Sequence, residues 1–464
     1  MTERRRLVRV AATSARVVAG AAVAAAAVVG TVVGIAAPWP QYAASPVRVQ
    51  ATPAPGDTVL ACDGPLLAIG RSADSAGTLS AAAAQQIVSG PAASAATTSS
   101  LGGATPDASG NAEALRAAPV DGVPAPLAAA GSATAAASDF TGFAASACRP
   151  PLAESWLVAG ATTTGANDLV VLANPGDVPA TVQLSVYGAQ GVSTPPSGSD
   201  IVVAAGQRRI VPLAGLLLGE ESPVVRVVST GAPVHASLQA SLTRLLLPGG
   251  SDQVAPLAQA DTRLWMPGVQ VAATGQGQAG TVLRLLSPGS DATATVALVP
   301  VDASAAPPAP TQIPLTAGLP TSLDLSGVPA GTYTVDVSAT APIVGATWST
   351  TGFGEGADFA WYTPAPEIAM PSVVAVAPGV GAAVVLAGAA SDTTVTLTPT
   401  DGGDPITTTV TAGASVAVPI AAGVYRLESP TPVRAAVSYS GAGALASYPL
   451  WAGDAAAAAL TILP

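Results

Sequence analysis

An apolar run, a turn carrying one aspartate, then strict alternation of apolar and polar residues: this pattern occurs three times along the chain. It reads LVVLANPGDVPATVQLSVYGAQG from Leu169 to Gly191, TVLRLLSPGSDATATVALVPV from Thr281 to Val301 and AAVVLAGAASDTTVTLTP from Ala382 to Pro399. In the first copy Val182, Leu184 and Val186 fall on one face and Thr181, Gln183, Ser185 and Tyr187 on the other, the period of two of a half-buried β-strand. Each copy is expected to be a hairpin joined at the aspartate turn. Further short apolar segments follow in the same order. Each copy then reaches a proline-led strand: PVHASL at Pro233, PIVGAT at Pro342 and PVRAAV at Pro432. Proline fits the first residue of a strand, where no ladder donor is lost.

Six or seven short strands per copy is the strand content of an immunoglobulin-like sandwich. Tyr333 in Ala-Gly-Thr-Tyr and Tyr425 in Ala-Gly-Val-Tyr stand where a tyrosine corner belongs, whereas the first copy has Val224 and Val225 there. The expected fold class is all-β: an N-terminal transmembrane helix followed by three tandem immunoglobulin-like β-sandwich units over 139–261, 262–358 and 359–464. A three-bladed propeller is the rival architecture, and its blades would be oversized. Trp156, Trp265, Trp361 and Trp451 mark the unit junctions. We expect them to seal core edges, a row of sugar-stacking platforms being the alternative.

The segments before the units differ in character. Residues 1–16 hold Arg4, Arg5, Arg6, Arg9 and Arg16 and form a basic cytoplasmic tail. Val17 to Ala37 is 21 residues without a charge, about 31 Å as a helix against a hydrocarbon core of about 30 Å. Under the positive-inside rule this is a single-pass membrane anchor with an extracytoplasmic body, and Trp39 and Tyr42 suit an interfacial belt. A cleaved signal peptide is the alternative, and it exports the body equally. Residues 38–71 form an extracytoplasmic segment, and 72–138, rich in Ala, Ser, Thr, Gly and Pro, a low-complexity flexible excursion that buries too little surface to order itself. The two cysteines of an exported chain, Cys62 and Cys148, are expected to form a disulfide tying that excursion to the first unit; two unpaired thiols are the alternative.

Composition narrows the function. Gly 48 and Pro 43 suit many strands joined by turns. All 17 basic residues are arginine against 28 acids, a net charge of −11, and no basic stripe interleaves with aromatics, so nucleic acid is not an expected partner. The single histidine, His235, aligns with Val344 and Arg434 in the other copies and reads as a tolerant surface site. No triad, metal set or Ser-Lys dyad can be assembled, so no catalytic, cofactor-binding or metal residue is assigned and no cofactor is expected. The acids Glu220-Glu221 and Asp401/Asp404 are the remaining catalytic option, as a glycan-cleaving carboxylate pair; they read better as solvated turn residues. Asp177, Asp291 and Asp392 are expected to make Asx-turns.

The Arg-rich stub, the apolar anchor, Cys62 before Gly64-Pro65, the variable stretch, then Cys148 ahead of Glu154-Ser155-Trp156, Leu172 to Gly176 and Val186-Tyr187-Gly188 together resemble an uncharacterised family of actinobacterial membrane-anchored envelope proteins, filed as a domain of unknown function. The resemblance covers nearly the whole ectodomain and implies no activity or functional residue. Such proteins are often encoded near glycosyltransferases, which favours an envelope-glycan role. The expected function is a non-catalytic, membrane-anchored extracytoplasmic scaffold or binding module of the cell envelope. Its partner would be an envelope glycan or a membrane protein, met by the first unit through the segment Leu245 to Ala260, read as a lengthened connection, and through the excursion before Cys148. The alternative is an envelope glycan-processing enzyme.

Overall fold

Thr2–Ala36 is one α-helix, and its stretch Ala11–Ala36 is 26 residues with a mean hydropathy of 2.2, long and apolar enough to cross a bilayer. The computed structural model describes residues 2–36, 49–51, 55–70, 77–91, 96–103, 112–272, 279–441, 443–452 and 460–462; Ala37, Trp39 and Tyr42 lie outside them. The helix belongs to one compact unit, 1–53 with 458–464, in which Val49–Ala51 pairs with Leu460–Ile462. Residues 54–457 form the other unit, a body that is mostly β and whose named strands all pair antiparallel.

One pairing scheme recurs three times in that body. The strand opening each repeat (Leu169–Asn174, Thr281–Leu286, Ala383–Ala387) pairs with Gln207–Pro212, Thr321–Asp324 or Ser415–Pro419 on one side. On the other it pairs with His235–Arg244, the second half of Gly331–Thr350, or Val433–Gly441. The alternating strand after the aspartate turn (Ala180–Gly188, Ala292–Pro300, Thr393–Pro399) lies in a different ladder. It sits between Ile201–Val203, Thr311–Leu315 or Ile406–Val410 and Val224–Thr230, the first half of Gly331–Thr350, or Gly423–Glu428. The two strands flanking the turn are therefore not a hairpin. The turn hands the chain from one sheet to the other, which explains the change of pattern across it: Leu169–Asn174 is buried at every position, whereas Ala180–Gly188 alternates at its start between buried and exposed. Tyr333 donates its hydroxyl to the Pro329 carbonyl at 2.9 Å and Tyr425 to that of Ala421 at 2.9 Å, two tyrosine corners.

Of the stretch 72–138, expected to be a flexible excursion, residues 72–76, 92–95 and 104–111 lie outside the described residues and the remainder carries strands. Its described residues include the strands Leu79–Ala83, Gln86–Gly90, Thr97–Leu101, Ala112–Ala117 and Ala128–Ala136. Small side chains bury little surface by themselves, yet here they are laid on apolar surface supplied by others: Ala128 and Ala130 join Phe143, Val374 and Tyr439 in one core. Two unit edges also shift. Thr141–Ala147 pairs with Ala128–Ala136 and not with the sheets of the first repeat, and Phe359–Tyr362 pairs with Gly331–Thr350 of the second. The segment from Leu245 is no extended loop either, since Leu247–Val254 is a strand paired with His235–Arg244.

Cores run across the repeats. Leu286, Val344, Phe359 and Trp361 lie in the same cluster as Leu157, Leu172 and Leu184, and Leu445 joins the cluster around Met266, Leu283 and Tyr362. Cys62 and Cys148 are bonded, at a sequence separation of 86, and sit among Leu60, Leu115, Leu127 and Ala129. Since Cys148 follows directly on Thr141–Ala147, the bond staples the N-terminal sheets together. Replacing both cysteines by serine is expected to lower unfolding stability by up to about 4.6 kcal/mol, the chain-entropy value for a loop of this length, as measured by chemical denaturation with and without reductant.

Candidate functional site

The face of His235–Arg244 turned away from the first repeat's core carries His235, Ser237, Gln239 and Ser241, and all four are buried. The sequence alternation gives a polar outer face, and the segment around Asp63–Leu67 covers it. His235 Nε2 lies 2.7 Å from Asp63 Oδ1, so the surface position expected for this histidine is in fact interior. Gln239 bonds both backbone groups of Leu67, accepting from its N–H at 2.8 Å and donating to its carbonyl at 2.6 Å, in the manner of a strand partner. Gln253 donates to the Gly64 carbonyl at 2.8 Å, Gln85 accepts from the Gly64 N–H at 3.0 Å and Arg208 donates to the Asp63 carbonyl at 2.9 Å. Burial opposes ionisation of Asp63, but the bond and charge of His235, with bonds from Ser237 and Ser146, hold its carboxyl below the usual range.

Three further buried aspartates act as clamps on backbone. Asp168 accepts from Ala161 N–H at 2.7 Å and Ser241 N–H at 2.9 Å. Asp252 accepts from Gln253 N–H at 2.9 Å and Trp361 N–H at 2.7 Å. Asp358 accepts from Phe143 N–H at 3.0 Å, Leu445 N–H at 3.1 Å and Ser251 N–H at 3.3 Å, joining an N-terminal strand, the first repeat and the third at one carboxyl. Glycine permits this convergence: Gly250 has φ +109° and a Cβ there would overlap Asp358. Burial raises all three against the bonds they accept, Asp168 to about 6, Asp358 to about 7 and Asp252 well above the usual range, the last helped by the nearby charge of Asp358. These clamps escaped the sequence reading because an aspartate inside a strand-rich stretch looks the same as one in a solvated turn. The one available signal was position, and only for Asp358, which directly precedes the apolar run Phe359 to Tyr362.

The acids singled out from sequence do not come together. Glu220 accepts from Ala189 N–H at 2.8 Å and Ser222 N–H at 3.3 Å, while Asp401 and Asp404 are exposed in another repeat. Asp291 and Asp392 do not make Asx-turns; they accept from Ala317 N–H at 2.8 Å and Ala412 N–H at 2.9 Å, reaching the same neighbouring loop in their respective repeats. Asp177 pairs with Arg116 at 3.6 Å. Among the described residues no group of three or more His, Cys, Asp or Glu is arranged to hold a metal ion.

Each boundary tryptophan lies under an arginine. Arg226 is 5.5 Å from the Trp156 ring centre, Arg263 and Arg434 4.6 and 5.7 Å from that of Trp265, Arg284 4.7 Å from that of Trp361 and Arg149 4.7 Å from that of Trp451. Arg284 crosses a junction, donating to the carbonyls of Gly160, Pro223 and Glu221 at 2.9, 2.9 and 3.0 Å. A recess of about 170 Å³ opens where the Leu67 segment meets Ser241, lined by Leu67, Ile69, Phe140, Leu169, Leu242 and Pro248 among others.

A family model described as a family of unknown function, DUF5719, matches residues 103–421. The chain belongs to that family. The match contains Asp168, Asp252 and Asp358 and leaves Cys62 and Asp63 before its start. No curated protein matches. Among solved structures, the crystal structure of chicken CNTN1 FN1–FN3 domains aligns over 65% of this chain and 99% of its own at 12% identity and a TM-score of 0.11, a weak likeness.

An acid whose pKa is raised on folding binds its proton more tightly in the folded state, so its contribution to stability is greatest below the unfolded value and declines as pH rises toward the folded one. For Asp358 that window runs from about 4 to about 7. The thermal midpoint is therefore expected to fall between pH 5 and pH 8. Asp358→Asn, which cannot ionise, should flatten that slope by roughly 2–4 kcal/mol while lowering the stability at pH 5, as read by calorimetry across the range.

Proposed function

We propose that this chain is a non-catalytic, membrane-anchored extracytoplasmic scaffold or binding module of the cell envelope, built from three tandem immunoglobulin-like β-sandwich units. The apolar N-terminal helix and the Cys62–Cys148 bond suggest an extracytoplasmic body. The arginines ahead of the helix favour an uncleaved anchor with a cytoplasmic N-terminus. The threefold recurrence of one pairing scheme supports the division into sandwich units.

The observation that carries the non-catalytic reading is the use made of the buried acids. Asp168, Asp252 and Asp358 have carboxylate oxygens occupied by backbone N–H groups. A general acid or nucleophile needs an oxygen free to face substrate. An envelope glycan or a membrane-protein partner is the ligand class we assign, with no nucleic acid.

The test is to incubate the purified chain with isolated envelope polysaccharide and measure retention and sugar release together. Retention without turnover is expected. Release of sugar that disappears on substituting one acid pair would establish the glycan-processing alternative. The anchor is checked by carbonate extraction of membranes, where the protein is expected in the pellet with its N-terminus intact.

A further inference from the structure

The hairpin between His235–Arg244 and Leu247–Val254 ends in a two-residue loop, Leu245-Leu246, closed by the pair Arg244 and Leu247. Leu245 is 98% exposed, Leu246 91% and Leu247 45%. Leu245 also has φ +57°, at the first central position of a tight hairpin turn, where glycine or asparagine is the usual occupant. Two unfavourable features coincide in one residue, an apolar side chain in water and a left-handed backbone, and nothing among the described residues covers that side chain. The other strongly exposed apolar residues of the body, such as Val178, Val192, Val202 and Leu218, are not three in a row, and scattered exposed residues call for no explanation. Three consecutive leucines at a projecting tip do.

We propose that the Leu245–Leu247 tip inserts into the lipid surface of the membrane that holds the N-terminal helix, as a second and non-covalent membrane contact of the body. This rests on the anchor reading given above. Area decides between lipid and protein. The three side chains offer on the order of 400 Å² of apolar surface, short of the roughly 600–800 Å² that each partner contributes to a stable protein interface. A bilayer needs no complementary partner surface and accepts a narrow aliphatic wedge. The tip's chemistry also suits lipid, since leucine offers no hydrogen bond to a sugar or peptide. Arg244 at its base stacks over Phe353 at 5.0 Å, placing behind the leucines an amphipathic cation of the kind that keeps its charge at a headgroup boundary while its stem lies on apolar surface.

The experiment places an environment-sensitive fluorophore at Leu246→Cys in the full chain, reconstituted into phosphatidylcholine–phosphatidylglycerol vesicles. Leu218→Cys, also strongly exposed (79% against 91% for Leu246) but without exposed leucine neighbours, is the comparison. The native cysteines are bonded and buried and do not react. The expected result is blue-shifted emission at position 246, quenched by nitroxide-bearing lipid, with position 218 unshifted and unquenched. Introducing Leu245→Ser and Leu247→Ser beside the label should abolish both the shift and the quenching without altering the thermal midpoint. A chain that floats with the vesicles while the label at 246 emits as it does in water overturns this inference alone. A chain that fails to float overturns the anchor reading and this inference with it.

Discussion

The body depends most on the Asp358 carboxyl. It accepts hydrogen bonds from the backbone of Phe143, Ser251 and Leu445, residues separated by 107 positions or more from one another or from the acid in two of the three cases. Each of those N–H groups is buried, and a buried donor left without a partner costs about 1–3 kcal/mol. The carboxyl therefore fixes where an N-terminal strand, the first repeat and the third repeat meet, with Phe359–Tyr362 following it directly in the chain. Burial of the acid works against it, which is why its proton is held up to about 7. The junction tolerates that penalty because the alternative is three orphaned donors.

Directional bonds at such junctions do something apolar packing cannot. Three repeats with one pairing scheme present similar apolar edges, so hydrophobic contact alone would accept several ways of apposing them. The polar contacts discriminate. Arg284 satisfies three carbonyls in the first repeat while its guanidinium lies on Trp361, and Asp252 of the first repeat accepts from the backbone of that same Trp361. The chain contains no lysine, and a planar guanidinium can stack on a ring while donating in its own plane, as an ammonium cannot. Expected from sequence to seal core edges, with sugar stacking as the alternative, the tryptophans are also the floor of arginine contacts.

What was legible in the sequence is what local pattern encodes. Alternation located the strands of each repeat, Ala-Gly-x-Tyr located two tyrosine corners that formed, and two cysteines behind an apolar N-terminal run gave the bond between Cys62 and Cys148. Pairing was not encoded locally. The strands on either side of the aspartate turn look like a hairpin from composition, and only the complete burial of Leu169–Asn174 reveals a central strand of one sheet feeding an edge-side neighbour in another. His235 was misplaced for a related reason. Its strand alternates as a strand with one wet face should, and nothing in that alternation says that Asp63–Leu67 will lie across it.

The alanine-rich stretch shows the same limit in energetic form. Alanine and serine bury so little surface that an isolated segment of them cannot offset its ordering entropy, and that argument is sound for the segment by itself. It fails in context because the surface buried on docking belongs to both partners. When Ala128 and Ala130 settle beside Phe143, Val374 and Tyr439, the larger share of the apolar area removed from water comes from the aromatic and branched residues. Small residues let the sheets approach closely enough for that to happen. Order in such a segment is thus a property of the surface it meets, and it would be lost if that surface were, even with the segment's own sequence unchanged.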